Sequence, residues 1–154
     1  MIADALAALE GWPVAEALRV SRWTYPFVNV GHIVGLALLF GAILPLDLRL
    51  LGVWRTADAD ELERVLTPVS AFGLAMTLTT GFLLFSVRAT EYAAMPLFWV
   101  KMMIVAAGVA NAIAALVRRA RRSRGRIGNA ALAVVSIGCW AAAIIAGRLL
   151  GYVE

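Results

Sequence analysis

The chain has 154 residues, of which 62% are hydrophobic and 16% charged, and its mean hydropathy is +0.85. A soluble domain of that size has too little interior to hide so much apolar surface, whereas lipid solvates it directly. The net charge of +4 does not mark a nucleic-acid partner, because six of the 14 basic residues crowd between Arg118 and Arg126, the pattern of a loop on the cytoplasmic side of a membrane.

Residues 1–25 read as an interfacial amphipathic segment. Ile2, Leu6 and Leu9 recur at helical spacing, Gly11 and Pro13 interrupt them, and a second short helix is expected from Val14 to Arg22. Trp12, Trp23 and Tyr25 suit the headgroup zone, where an apolar ring with a polar edge is stable. The opening residues lack the positive charge of a cleavable signal, so none is expected.

Residues 26–154 read as a transmembrane domain with spans at about 26–51, 68–87, 96–117 and 127–150. No formal charge lies between Arg22 and Asp47, between Arg64 and Arg88, or between Arg126 and Arg148, and Lys101 is the only one between Glu91 and Arg118. A bilayer-crossing helix needs roughly 20 mostly apolar residues at about 1.5 Å each. Asp58 with Glu61 three residues later resembles a capping box, so the second helix is expected to start before the membrane. Glu91 falls in a loop, and Cys139, the single cysteine, is a packing residue that excludes an intrachain disulfide. Short connections favour antiparallel neighbours. The expected fold is all-α: an integral membrane bundle of four transmembrane helices preceded by a short interfacial N-terminal helix.

With the termini outside, the inner segments hold Arg49, Arg55, Arg64 and the arginines from Arg118 to Arg126, nine in all. The outer segments hold Arg19, Arg22, Arg88, Arg148 and Lys101. That asymmetry predicts both termini outside the cytoplasm, which is the periplasmic side in the bacterial inner membrane expected for this chain. The Arg118–Arg126 run is also a candidate contact for anionic lipids.

Ionisable groups inside a bilayer cost several kcal/mol unless paired or hydrated, roughly 3 kcal/mol on insertion scales, so each is a candidate site residue. His32, the only histidine, enters the first span about two turns from the outer side, and Lys101 enters the third at similar depth beside Met102 and Met103. Thr80 and Arg148 lie toward the same side. Several readings compete for this group. Lys101 and Arg148 snorkel while His32 bonds a neighbouring helix. His32 with a methionine ligates a metal such as copper. Haem b takes His32 as an axial ligand, which in a bis-histidine site requires two chains. Asp47 and Arg49, two apart at the inner end of the first span, do not pair directly and are read as ending the span. Asn111 suits an interhelical hydrogen bond. Gly31-x-x-x-Gly35 and Gly147-x-x-x-Gly151 predict close helix packing, within one chain or in a homo-oligomer. There is no phosphate loop, no paired carboxylates within a span and no nucleophile with a base, so an enzyme acting alone is not expected.

His32-Ile-Val-Gly-Leu-Ala-Leu-Leu-Phe-Gly41 followed by Leu46-Asp-Leu-Arg-Leu-Leu-Gly52 resembles the first-helix signature of a bacterial four-helix membrane family of unknown function. Leu78-Thr-Thr-Gly-Phe-Leu-Leu-Phe85 and Pro96-Leu-Phe-Trp-Val-Lys101 are similar to its second and third helices, so the likeness covers about residues 28–118. It implies the four-span fold and no established chemistry. A looser similarity, to the membrane domain of copper-resistance protein D, rests on an early histidine, a Thr-Gly and a lysine beginning the next helix. It implies a metal role. The expected function is non-enzymatic: handling a small ligand or metal ion at an outer-leaflet site, or serving as accessory subunit of a membrane complex. The alternatives are a haem-b electron-transfer subunit and a pure scaffold.

Overall fold

The computed structural model describes residues 1–53, 58–120 and 126–152, with the side chains of 119, 120, 126 and 127 left aside. Among these the chain is all-helical: α1 (Ile2–Glu10), α2 (Pro13–Val20), α3 (Thr24–Leu51), α4 (Ala59–Val87), α5 (Ala89–Ala94), α6 (Pro96–Ala120) and α7 (Arg126–Leu150). Four segments, Thr24–Leu51, Ala59–Val87, Pro96–Arg118 and Gly128–Leu150, are long and apolar enough to cross a bilayer. This is the make-up of a multi-pass membrane protein. Of the arginines invoked for orientation, Arg55 and most of the run after Arg118 lie outside the described residues.

Local signals set the helix ends. Pro13 sits in the first turn of α2, where its missing N–H costs nothing. Gly52 ends α3 in the left-handed region at φ 88°, with Gly52 N–H donating to Arg49 O and Val53 N–H to Leu48 O. This is the hydrogen-bond pattern that closes a helix on glycine. The Asp58 carboxylate accepts from the N–H groups of Asp60 at 2.9 Å and Glu61 at 3.0 Å, so α4 starts about two turns before Pro68. Glu91, expected in a loop, belongs instead to the short helix α5, where it pairs with Arg88 at 3.5 Å.

The long helices pack in the order α4, α3, α7, α6, each beside its neighbour. The closest approach is α3 against α4. A methyl group added at Gly73 would stand 2.5 Å from Leu39 N and 2.8 Å from Gly35 O, so the two backbones touch where only glycine fits. Gly35 is therefore the working half of the Gly31-x-x-x-Gly35 motif, since a methyl at Gly31 meets only ordinary contact with Thr80 and Met76. On α7, Gly147 faces Lys101 of α6, whereas Gly151 meets only its own helix. The core between α3 and α7 holds Leu39, Ala42, Ala133, Trp140, Ala143 and Ala146. Trp140 lies against Gly108 of α6, whose missing side chain makes room for the indole. Among the described residues α4 and α6 share no close backbone approach. They meet through the stacked rings of Phe85 and Phe98, 5.0 Å apart.

The helices α1 and α2 dock on the end of the bundle where α4 turns into α5. The Arg19 guanidinium donates to Val87 O, at the C-terminus of α4, and to Glu10 O. The Glu10 carboxylate accepts from Thr90 N–H at 2.8 Å and from the Thr90 hydroxyl at 2.6 Å, at the start of α5. A cation thus meets a helix C-terminus and an anion a helix N-terminus, each matching the local backbone dipole. These bonds hold the Glu10 carboxyl below the ordinary carboxylate range, the Thr90 hydroxyl contributing most.

Candidate functional site

Two polar centres lie inside the bundle, one near each end of α3. The first is built around His32. Its Nδ1 lies 3.0 Å from Thr80 Oγ1 on α4. The Thr80 hydroxyl has a single proton, and its 2.6 Å contact to Met76 O takes it. Thr80 therefore keeps a lone pair for an Nδ1–H donor, and in the neutral ring that tautomer leaves Nε2 as an acceptor. Gly81, the next residue, gives the ring its seat: a methyl there would stand 3.1 Å from His32 Cε1. Thr80 and Gly81 together hold the imidazole in position.

Lys101 has a matching seat on the other helix pair. A methyl at Gly147 would stand 3.3 Å from Lys101 Nζ, so the ammonium lies over a notch in α7. It is near enough to His32 for its charge to act on the ring, although no hydrogen bond joins them. Among the described residues no ion pair or hydrogen bond engages Lys101. The structure thus joins His32 and Thr80 by a hydrogen bond between α3 and α4, and sets Lys101 of α6 within electrostatic reach of them.

The other candidates at this end lie elsewhere. Arg148 Nη2 donates to the Tyr152 hydroxyl at 2.7 Å, and its guanidinium lies 4.8 Å from that ring, so it folds onto the end of its own helix. Met103 is 71% exposed on the outside of the bundle, where lipid would lie. Met102, beside it, is half-buried.

The second centre is Asp47, only 7% exposed, packed against α7 where Ser136 is its hydrogen-bonding neighbour. One carboxylate oxygen, Oδ2, has no hydrogen-bond partner among the described residues. Arg49 has interactions of its own on the last turn of α3. Asn111 Nδ2 donates to Leu132 O at 3.0 Å and so ties α6 to α7. Arg118 lies over Gly128 at the same end.

Sequence reasoning did not single out Gly73, Ser136 or Trp140, and Gly81 entered only as half of the Thr-Gly pair in a resemblance. Gly81 carried a signal, because it follows Thr80 directly and a glycine beside a hydroxyl at mid-span offers a side chain both a partner and room. Ser136, a hydroxyl in an apolar run, carried one also. Trp140 looked like any span tryptophan.

Among the described residues no three His, Cys, Asp or Glu side chains gather as metal ligands. No family model, curated protein or solved structure matches the chain.

Proposed function

We propose that the chain is a non-enzymatic inner-membrane protein that holds a small ligand between His32 and Lys101, alone or as accessory subunit of a larger membrane complex. The observation that carries this reading is the His32–Thr80 hydrogen bond, which leaves Nε2 as an acceptor close to an ammonium that has no direct partner among the described residues. An acceptor beside a cationic donor suits a small protic molecule with a hydroxyl or acid group for Nε2 and an oxygen for Nζ. A bare metal ion is the poorer occupant, because the ammonium repels it. We place this site in the outer leaflet, with both termini periplasmic, on the distribution of the basic residues. Anionic headgroups then meet the run from Arg118 to Arg126.

The test is native mass spectrometry of the protein taken from its membrane in mild detergent, beside His32→Ala and Lys101→Met. The reading expects a retained small-molecule mass that both substitutions remove while Asn111→Ala keeps it. A bare wild-type protein, with His32→Ala assembling identically, would leave a scaffold.

A second reading, haem b, is favoured by one observation. A metal-ligating histidine characteristically donates its other ring N–H to a fixed acceptor, as His32 does to Thr80. With one histidine per chain, a bis-histidine haem would join two copies. A reduced-minus-oxidised visible spectrum separates the readings, since sharp α and β bands lost in His32→Ala belong to haem alone.

A further inference from the structure

At the arginine-rich end of the bundle, Asp47 is the one ionisable residue among the described residues that is fully buried. Its setting is unlike that of a carboxylate that merely ends a span. Ser136 of α7 is its hydrogen-bonding neighbour, and Oδ2 is buried without a partner. The charged groups nearest along the elements packed around it are Arg49 on α3 itself, Glu63 and Arg64 on α4, and Arg118 on α6. On α7 the level of Ser136 carries none. Among the described residues no ion pair reaches the Asp47 carboxyl.

We propose that the Asp47 carboxyl, with the Ser136 hydroxyl beside it, is a proton-binding site at the arginine-rich end of the bundle. A buried charge must be paired, hydrated or neutralised. The unpartnered Oδ2 is the atom that a proton would occupy. Among the described residues Asp47 belongs to no cluster of three carboxylate, histidine or cysteine side chains that could hold a metal ion, so the occupant argued for is a proton. Binding forms an O–H bond at Oδ2 with a proton delivered from the aqueous phase as hydronium, which leaves water, and nothing is oxidised or reduced. The released form needs a cation or water, and Asp47 lies within about two turns of the α3 C-terminus. Proton exchange therefore runs to the arginine-rich side, away from the His32 and Lys101 pair, and the site does not depend on a ligand there.

The experiment is infrared spectroscopy as the pH is lowered from 8 to 5 on the full chain in phosphatidylcholine vesicles, with and without aspartate labelled with carbon-13 at the side-chain carboxyl. The protonated-carboxyl C=O band is expected in wild type, shifted by the label and lost in Asp47→Asn. Asp4, Asp58 and Asp60 are exposed and remain in that variant as an internal control. In Ser136→Ala the band is expected to persist but move, as its hydrogen-bonding neighbour is gone. An acid-region spectrum that neither the label nor Asp47→Asn changes would overturn the proposal. If Asp47→Asn fails to fold, the labelled wild-type protein decides the question alone.

Discussion

At one end of α3 the His32 imidazole is hydrogen-bonded to Thr80 and seated against Gly81; fifteen residues on, the Asp47 carboxyl is buried with one oxygen unpartnered. The separation along the helix is about 22 Å, roughly three quarters of the depth of the hydrocarbon layer. The two centres differ in how the neighbouring helices receive them. Around His32 and Lys101, glycines on α4 and α7 remove side chains so that a polar head has room. Around Asp47 the neighbours close in, with Ser136 as the polar concession. The glycines seat the imidazole and the ammonium, between which the proposed ligand would lie. Tight burial of a carboxyl makes a place for something as small as a proton.

The strongest challenge to this contrast is to break the interface that supports both centres. Gly73→Leu would drive a side chain into the α3 backbone, where Leu39 N and Gly35 O cannot move aside. Overpacking of this kind costs typically about 3 kcal/mol or more when backbone is the obstacle. The expected outcome is loss of the monodisperse peak in fluorescence-detected size exclusion. Gly81→Val tests the His32 end alone. It should evict the ring from its seat at a cost of about 1–3 kcal/mol, read as a lowered thermal midpoint together with faster reaction of the single histidine with diethyl pyrocarbonate.

A gentler change sharpens the comparison. Thr80→Val keeps the shape and removes the acceptor for Nδ1–H, so about 1 kcal/mol of stability should go with it. Histidine nitrogen NMR should then show a mixture of tautomers. If Thr80→Val leaves both stability and tautomer unchanged, the hydrogen bond does not organise this end.

The smallest expected effect lies outside the membrane-spanning helices. Glu10→Ala removes the acceptor for Thr90 and should cost about 1 kcal/mol, the size of a lost helix cap. Because the docked Glu10 carboxyl titrates below its ordinary range, its contribution is full above that range and is lost as pH falls through the lowered value. Hydrogen exchange should show α1 and α2 loosening under acid in the wild type, and already loose at neutral pH in Glu10→Ala.

The spans were legible because lipid imposes a simple rule on composition. The predicted 26–51, 68–87, 96–117 and 127–150 differ from the structure mainly at α4, which starts at Ala59 because the Asp58 cap lies outside the apolar run. Asp58 was readable from sequence because capping is local. The partnering of the polar residues was not. His32, Thr80 and Lys101 share depth in the sequence, but depth does not say which helices are neighbours. The packing order α4, α3, α7, α6 follows from Gly73, Gly108 and Gly147 fitting particular partners. That complementarity is a property of pairs, which a single span does not display. Arg148 illustrates the same limit, since Tyr152 one turn away on its own chain end draws it off the shared site.

The most direct measurement is the nitrogen NMR spectrum of the single histidine, labelled with nitrogen-15, in lipid nanodiscs at neutral pH. The account predicts one neutral tautomer with the proton on Nδ1 and a bare Nε2, whose signal moves in Lys101→Met as the nearby charge is removed. A proton on Nε2, or a spectrum indifferent to Lys101, would contradict it.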